Sequence, residues 1–284
     1  MKIYPSKLLM QQEIVQLRAD GKTIGLVPTM GFLHAGHLQL VRRAQQNSDA
    51  VVVTIFVNPT QFSLTEDLST YPRDIESDLA LLRTEGVAAV FVPSPDDMYL
   101  PKADTVVDVP SLSQILQGVL RPTHFQGVAT VVTKLFNITQ PDVAVFGEKD
   151  YQQLTLIRKM VRDLDLPVRI IGHPTVREVD GLAMSSRNAR LSPAQRAAAP
   201  ILNTALDEAE SNQCLNSQAY VDLLTQRIAT EPLCNKKLID IRDAYDLGHL
   251  TGPLKKPAVL LLAVEFGDVL LIDQRVVGPG KDTL

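Results

Sequence analysis

The chain contains little cysteine, no tryptophan and no long uninterrupted apolar segment. Among its 284 residues only Cys214 and Cys234 are cysteines, too few for a disulfide framework or a cysteine-rich metal site. The longest apolar run, 258–264, falls well short of the roughly 18 residues that span a bilayer. The first residues show neither the apolar core nor the cleavage site of a signal peptide. These absences predict a cytoplasmic protein with no membrane partner.

Basic residues are not in excess either. The chain has 28 Lys and Arg against 32 Asp and Glu, for a net charge of −4. A duplex-binding protein usually presents a basic face that displaces phosphate counterions, and aromatic residues make up only 5%, so we expect no nucleic-acid partner. Hydrophobic residues at 45% and charged residues at 21% are typical of a globular protein and exclude a disordered chain.

Strand-like apolar runs alternate with helical spacing over the first part of the chain. The dense β-branched run at 50–57 is typical of a strand buried on both faces, as in a parallel sheet. We expect further strands at 24–29, 87–92, 143–146 and 168–171, and helices at 38–44, 75–82, 128–138 and 154–161. This succession predicts an α/β fold with a Rossmann-like, doubly wound parallel sheet. Ligands of such sheets bind beyond the carboxyl ends of the strands.

The pattern changes after about residue 175. Ser192 and Pro193 are typical of a helix start, and we expect one helix from there to about Ser211. The remaining expected elements are a helix at 217–230 and strands at 238–244, 259–266 and 269–277, with a tight hairpin at Gly267-Asp268. The length favours about two domains, which we place at 1–176 and, as a smaller C-terminal α+β domain, at 177–284.

Two histidines open the helix that follows the first predicted strand. The segment 28–37 reads PTMGFLHAGH, and the spacing of three places His34 and His37 on the same side of a helical turn. A helix N-terminus offers free N–H groups and a positive dipole end, and Gly36 lets a ligand approach the backbone. Phosphate is therefore the expected ligand. Two alternatives stay open: a structural histidine pair, and zinc, although cysteine and carboxylate partners at metal spacing are missing nearby.

Three further polar segments follow strands or lie in loops. Gln61 follows the strand at 50–57, and its amide offers donors and an acceptor suited to a hydroxy acid. The turn 147–150 reads GEKD, where Lys149 is a mobile point charge for phosphate and Asp150 can accept from a ribose hydroxyl or orient Lys149. The loop 184–187 reads MSSR, whose hydroxyls and guanidinium suit a phosphate clamp. By themselves these residue types are more often found in solvated loops.

Together the motifs resemble a known family. The segment HAGH is similar to the HxGH signature of the nucleotidyltransferase superfamily. In order along the chain come PTMGFLHAGH, FVNPTQF at 56–62, YPR at 71–73, RPTHFQGV at 121–128, FGEKDYQQL at 146–154 and DGLAMSSRN at 180–188. This set resembles the pantothenate synthetase family, the pantoate–β-alanine ligases, over nearly the whole chain. Met184 is a departure, since the family usually has Leu before the serine pair.

The resemblance implies an ATP-dependent ligase acting in pantothenate and coenzyme A biosynthesis. It implies ATP, pantoate and β-alanine as substrates, Mg²⁺, a pantoyl-adenylate intermediate, release of AMP and pyrophosphate, a homodimer, and a C-terminal domain that acts as a lid. The catalytic residues that it implies are His34, His37 and Lys149. Those implied to contact ATP are Met30, Gly31, Phe32, Leu33, His34, Ala35, Gly36, His37, Gly147, Glu148, Lys149, Asp150, Val176, Met184, Ser185, Ser186 and Arg187. Gln61 and Gln153 are implied to contact pantoate, and Gln61 also β-alanine.

A few residues keep more than one interpretation. Arg121 and His124 either line the mouth of the site or support it. Asp78 is a candidate magnesium ligand, although magnesium usually rides on phosphates with few protein ligands. Two rival functions remain: an adenylyltransferase that leaves AMP on its product, and a non-catalytic nucleotide-binding regulator.

Overall fold

The computed structural model describes residues 1–62, 68, 71–212 and 216–281, so Cys214 lies outside the described residues. The chain divides into two compact units. The first unit comprises Met1–Gly147 and Leu156–Pro174, and the second comprises Glu148–Thr155 and Thr175–Leu284. The functional domains expected at 1–176 and 177–284 stay a prediction.

A six-stranded sheet in which every pairing is parallel forms the centre of the first unit. Its strands are β1 (Lys2–Tyr4), β2 (Ile24–Thr29), β3 (Ala50–Ile55), β4 (Ala89–Phe91), β5 (Val143–Gly147) and β6 (Arg169–His173), in the order β1-β4-β3-β2-β5-β6. The order reverses at β2, which pairs with both β3 and β5. This topology confirms the predicted doubly wound α/β sheet, and the loops after β2 and β5 flank its switch point, where ligands bind in such folds.

Helices connect these strands. They are α1 (Lys7–Ala19), α2 (Ala35–Gln45), α3 (Ile75–Thr84), α4 (Pro95–Met98), α5 (Pro110–Ser113), α6 (Gln117–Leu120), α7 (His124–Thr139) and α8 (Tyr151–Asp163), the last of which begins in the second unit. Every residue of β3 is buried, as the unbroken apolar run predicts. Val27, Val53 and Val145 are fully buried in the same core cluster.

Some boundaries differ from the sequence expectation. The strand expected at 87–92 is only Ala89–Phe91, and the one expected to reach residue 57 ends at Ile55. The first strand and helix, β1 and α1, were not expected at all. Helix α1 exposes Leu8 and Val15 while burying Glu13, so it lacks the clean apolar stripe that marks an amphipathic helix.

The second unit packs helices against a three-stranded antiparallel sheet. Its later elements are α9 (Pro193–Ala198), α10 (Ile201–Ser211), α11 (Ser217–Ile228), β7 (Asn235–Asp243), β8 (Ala258–Phe266) and β9 (Val269–Val277). The expected hairpin is confirmed, because Phe266 pairs with Val269 and Gly267 adopts φ +65°. The single helix expected over 192–211 was wrong: Pro200 separates α9 from α10, since proline lacks the N–H that a continuous helix needs.

No helix in the described ranges is both long and apolar enough to cross a membrane.

Candidate functional site

The loop between β2 and α2 has an unusual backbone that a buried carboxylate holds in place. Gly31 adopts φ +83° and Phe32 φ +53°, both in the left-handed region. The N–H groups of Phe32 and Leu33 donate to the Asp78 carboxylate at 2.8 and 2.6 Å. A Cβ at Gly31 would lie 3.0 Å from Asp78 Oδ2, so glycine gives the loop both the dihedral angle and the space that it needs.

Asp78 is only 2% exposed. Burial raises the pKa of this carboxyl, and the N–H groups of Leu33 and Phe32 partly offset that rise. Both of its oxygens already accept backbone N–H bonds, and the described residues contain no group of three or more His, Cys, Asp or Glu side chains that could hold a metal. The geometry therefore assigns Asp78 to bracing the loop, and its expected role as a magnesium ligand stays a prediction.

The two histidines lie together at the start of α2, as their spacing predicts. Their ring centroids are 4.0 Å apart at an interplanar angle of 37°, and both residues are half-buried. The backbone N–H of His34 donates to Nδ1 of His37 at 3.3 Å. Because Nδ1 accepts this bond, a neutral His37 ring carries its proton on Nε2 and can donate from there.

Gln61 comes close to the histidine loop. It ends a short 3₁₀ turn, Pro59–Gln61, after β3, and its Nε2 lies 3.1 Å from Sδ of Met30. A Cβ on Gly127 of α7 would lie 2.5 Å from the Thr60 carbonyl oxygen, so α7 and this turn approach as closely as only glycine allows. The structure thus brings two separate sequence motifs, FVNPTQF and PTMGFLHAGH, into contact within the first unit.

His124 and Arg121 support Gln61. His124 Nδ1 lies 2.9 Å from the Gln61 carbonyl oxygen, and Arg121 Nη1 lies 3.1 Å from His124 Nε2. A guanidinium can only donate and a carbonyl can only accept. His124 Nε2 therefore accepts from Arg121, and His124 Nδ1 carries the ring proton and donates it to the Gln61 carbonyl oxygen. Of the two interpretations left open for these residues, this geometry favours the supporting one.

Asn58 contacts Gln61 and Tyr99 contacts Asn58, and no pattern in the sequence singles out Tyr99. Asn58 is 1% exposed, and its Nδ2 donates to Gln61 Oε1 at 3.1 Å. The Tyr99 hydroxyl donates to Asn58 Oδ1 at 2.7 Å. Tyr99 lies 41 positions from Asn58, so only a three-dimensional structure could join them.

The turn after β5 carries the charged motif. Residues Glu148–Asp150 form a 3₁₀ turn, in which Lys149 Nζ lies 3.9 Å from Asp150 Oδ2. The Lys149 side chain is only 16% exposed. Gln153 is half-buried one turn into α8. A Cβ at Gly147 would meet no atom within 4 Å, so protein packing does not require glycine there.

The serine loop of the second unit is held by a polar network. The Met184 N–H donates to the Val176 carbonyl at 2.9 Å, and Ser185 Oγ accepts from the Arg187 N–H at 3.2 Å. Beyond the loop, Asn188 Nδ2 donates to Glu178 Oε1 at 2.9 Å, and Arg196 bonds the same carboxylate at 2.6 Å. The Val176 carbonyl is thus engaged within the protein. The expected contact of the Val176 backbone with adenine stays a prediction.

One cavity of about 330 Å³ lies in the first unit, lined in part by Arg42, Arg43 and His173. None of the sequence-predicted site residues lines it. His173 Nδ1 lies 2.9 Å from the Pro174 carbonyl oxygen, a contact within its own chain segment.

Known proteins resemble the chain over almost its full length. The family model described as pantoate-beta-alanine ligase matches residues 2–276. A protein of Agrobacterium fabrum described as pantothenate synthetase is 51% identical over 284 residues, 99% of this chain and 97% of its own. One of the same description from Rhizobium meliloti is 52% identical over 273 residues, 95% of this chain and 94% of its own.

Two solved structures that resemble the chain have the same descriptions as these relatives. A pantothenate synthetase of Thermus thermophilus has a TM-score of 0.93 at 41% identity, covering 98% of this chain and 100% of that one. A pantoate-beta-alanine ligase of Francisella tularensis, crystallised with beta-gamma ATP and beta-alanine, has a TM-score of 0.81 at 32% identity, covering 100% of this chain and 99% of that one.

Proposed function

This chain belongs to the pantoate–β-alanine ligase family, whose enzymes form pantothenate, and on that premise we propose that it joins its two substrates in two steps that consume one ATP. In the first step a carboxylate oxygen of pantoate attacks the α-phosphorus, pyrophosphate leaves, and pantoyl adenylate forms. In the second step the β-alanine amine attacks the acyl carbon, and AMP leaves with the former carboxylate oxygen. A free carboxylate is a poor acylating agent, and the adenylate supplies the leaving group that it lacks.

One observation supports this function most directly: Gln61 Nε2 lies 3.1 Å from Met30 of the histidine loop. The proposal assigns Gln61 to pantoate and the loop to ATP. Contact between the two motifs would place the pantoate carboxylate near the phosphate that it attacks, which is the positioning that such a reaction needs. Gln153 is the second pantoate residue in this proposal.

The proposal gives His37 the task of donating from Nε2 to a phosphate oxygen as negative charge develops in the first step. His34 lies beside it at the N-terminus of α2, where the positive end of the helix dipole favours an anion. A preorganised donor of this kind is worth about 3–4 kcal/mol of transition-state stabilisation, by analogy with single oxyanion-hole donors. The remaining loop residues assigned to ATP are Met30, Gly31, Phe32, Leu33, Ala35 and Gly36.

Residues of the second unit and of the end of β5 complete the assignment to ATP. Lys149 would neutralise charge on the phosphates, and Asp150 would orient it or accept from the ribose. The other residues assigned to the nucleotide are Gly147, Glu148, Val176, Met184, Ser185, Ser186 and Arg187. Methionine at position 184, where the family usually has leucine, should leave the backbone contacts of this loop intact.

Magnesium enters this proposal only as the counter-ion that ATP brings with its phosphates. Among the described residues, no group of three or more His, Cys, Asp or Glu side chains could hold an ion by itself, so no step is routed through a protein-held ion. The same proposal includes a homodimer, a cytoplasmic location, a lid role for 177–284 and a product used for coenzyme A.

The test is to incubate the purified chain with ATP, Mg²⁺, pantoate and β-alanine, omitting each in turn, and to follow pyrophosphate and AMP. The proposal expects bound adenylate and up to one equivalent of pyrophosphate without the amine, and sustained AMP release only with it. A product that retains AMP would indicate an adenylyltransferase instead. ATP binding without pyrophosphate in any mixture would indicate a regulator and contradict the proposal.

A further inference from the structure

Two backbone groups fix the orientation of the buried Asn58 amide. The Thr60 N–H, which can only donate, lies 3.4 Å from one end of this amide, and the Gly127 carbonyl, which can only accept, lies 3.1 Å from the other. The first end must therefore be oxygen Oδ1 and the second nitrogen Nδ2. The assignment does not depend on any neighbouring side chain, so it settles an ambiguity that amides ordinarily leave open.

This orientation passes to Gln61. Asn58 Nδ2 lies 3.1 Å from the Gln61 amide, so the atom that faces it must be the acceptor Oε1. The Gln61 nitrogen then points the other way, where it lies 3.1 Å from Met30 Sδ. A thioether is a weak acceptor, so the Gln61 N–H groups remain available to a stronger one, such as a hydroxyl or carboxylate oxygen of a substrate.

The hydrogen bond from Tyr99 is the shortest one that the Asn58 side chain makes. Its hydroxyl donates to Asn58 Oδ1 at 2.7 Å, and the Thr60 hydroxyl bonds the same oxygen at 3.0 Å. We propose that Tyr99 is a positioning residue, which acts through Asn58 to hold Gln61 with its N–H groups towards an oxygen of pantoate. The link to pantoate rests on the proposed function.

The surroundings of the ring keep the hydroxyl in place as a donor. The Lys134 Nζ lies 5.4 Å from the ring centroid, and the Phe56 ring lies 6.4 Å away. Burial raises the pKa of Tyr99, although its bonds to Thr60 and Asn58 counteract this. The hydroxyl therefore stays protonated at ordinary assay pH. Tyr99→Phe removes the bond to Asn58 and leaves both ring contacts.

The first test needs no substrate. In a protein with ¹⁵N-labelled glutamine side chains, Gln61→Ala identifies the Gln61 amide signal by its loss. Tyr99→Phe is expected to shift that signal, because the partner of Gln61 Oε1 becomes less firmly held. Tyr245→Phe is the matched control, since Tyr245 is 60% exposed and belongs to the second unit. An unmoved Gln61 signal in Tyr99→Phe, in a variant with the thermal unfolding of the parent, would overturn the proposal.

The second test separates binding from turnover. One lost hydrogen bond corresponds to a roughly three- to tenfold rise in the pantoate KM, and an interaction made equally in ground and transition states leaves kcat within about twofold. The KM for ATP should not change. Titration calorimetry in the presence of an unreactive ATP analogue gives the pantoate Kd of the parent, of Tyr99→Phe, of Gln61→Ala and of the double variant, which together form a double-mutant cycle. Tyr99→Phe is expected to weaken binding in the parent and to add nothing in Gln61→Ala.

The outcomes separate the two proposals. Equal effects of Tyr99→Phe with and without Gln61 would show that Tyr99 does not act through it, and would overturn the positioning role while leaving the proposed function intact. A parent chain that neither binds pantoate nor releases pyrophosphate with it would refute the proposed function and the link to pantoate together. In that case the amide signal still reports whether Tyr99 orients Gln61.

Discussion

The backbone N–H of His34 donates to Nδ1 of His37 at 3.3 Å. This bond fixes one ring nitrogen as the acceptor and leaves Nε2 as the donor of a neutral ring. The main chain of His34 therefore helps to orient the ring of His37. A short sequence pattern contains both residues, but only the structure shows which ring nitrogen of His37 is the acceptor.

We expect His37→Ala to lower the rate of pyrophosphate release by about 10²–10³, as loss of one preorganised donor does. His37→Gln should lose less, because a glutamine amide can place a donor close to the position of Nε2. Single-turnover measurements with ATP and pantoate test both variants, and circular dichroism checks the fold. His249→Ala, a change at an exposed residue of the second unit, is the control. Equal pyrophosphate release by the parent and His37→Ala would refute the role of Nε2.

Asp78→Asn should weaken the loop that carries the histidines. The new NH₂ group would face a backbone N–H of Phe32 or Leu33, and leaving a buried donor unsatisfied costs about 1–3 kcal/mol of unfolding free energy. Urea unfolding measures the loss, and a raised KM for ATP should accompany it. Asp163→Asn, at a side chain that is 43% exposed, should change stability by less than about 0.5 kcal/mol. Similar losses in the two variants would argue against the bracing role.

Glu178→Gln tests whether the polar network holds the serine loop. Glu178 accepts from Asn188 at 2.9 Å and from Arg196 at 2.6 Å, and a glutamine can replace only one of these acceptors well. We expect the rate of pyrophosphate–ATP exchange to fall roughly tenfold, the equivalent of one hydrogen bond of about 1.4 kcal/mol. Pantoate affinity should stay the same. Glu208→Gln, at a carboxylate that is 49% exposed, should leave the exchange rate at the parent value, and an equal fall there would sink the prediction.

Asp243 should make stability depend on acid pH. Burial alone would raise the pKa of this carboxyl, but Lys256 and the N–H groups of Tyr245 and Asp246 bring it below its ordinary value of 3.8. The stabilisation is therefore complete above about 3.8 and disappears as the pH falls through the folded pKa. Asp243→Asn should cost about 1–2 kcal/mol at pH 7 and much less near pH 2. Urea unfolding at both pH values measures this, and a loss independent of pH would contradict it.

The sequence was most informative where a pattern is local. The run at 50–57 predicts β3 because β-branched residues buried on both faces are apolar throughout. The spacing of His34 and His37 predicts that they lie close together, although His34 is the extended residue that precedes α2 and is not part of its first turn. Pro200 shows a signal that was present and overlooked, since a proline in the interior of an expected helix marks a break.

The remaining features depend on contacts between distant segments. Asp78 lies 45 positions from Leu33 and His124 lies 63 positions from Gln61, so no local pattern links them. The sequence marks Asp78 only as a candidate metal ligand, because a carboxylate shows its chemistry there but not the backbone N–H groups that it binds in the fold. Tyr99 carried no signal, because a tyrosine after a short helix is ordinary until its hydroxyl is seen against a buried amide.

Transfer of ¹⁸O from the pantoate carboxylate tests the central claim most directly. If that oxygen attacks the α-phosphorus, one labelled oxygen leaves with AMP when the amine displaces it. We therefore expect one ¹⁸O in each AMP formed from doubly labelled pantoate, and none in pyrophosphate. Label in inorganic phosphate, together with ADP, would show attack at the γ-phosphorus and an acyl phosphate, and would contradict the adenylate route.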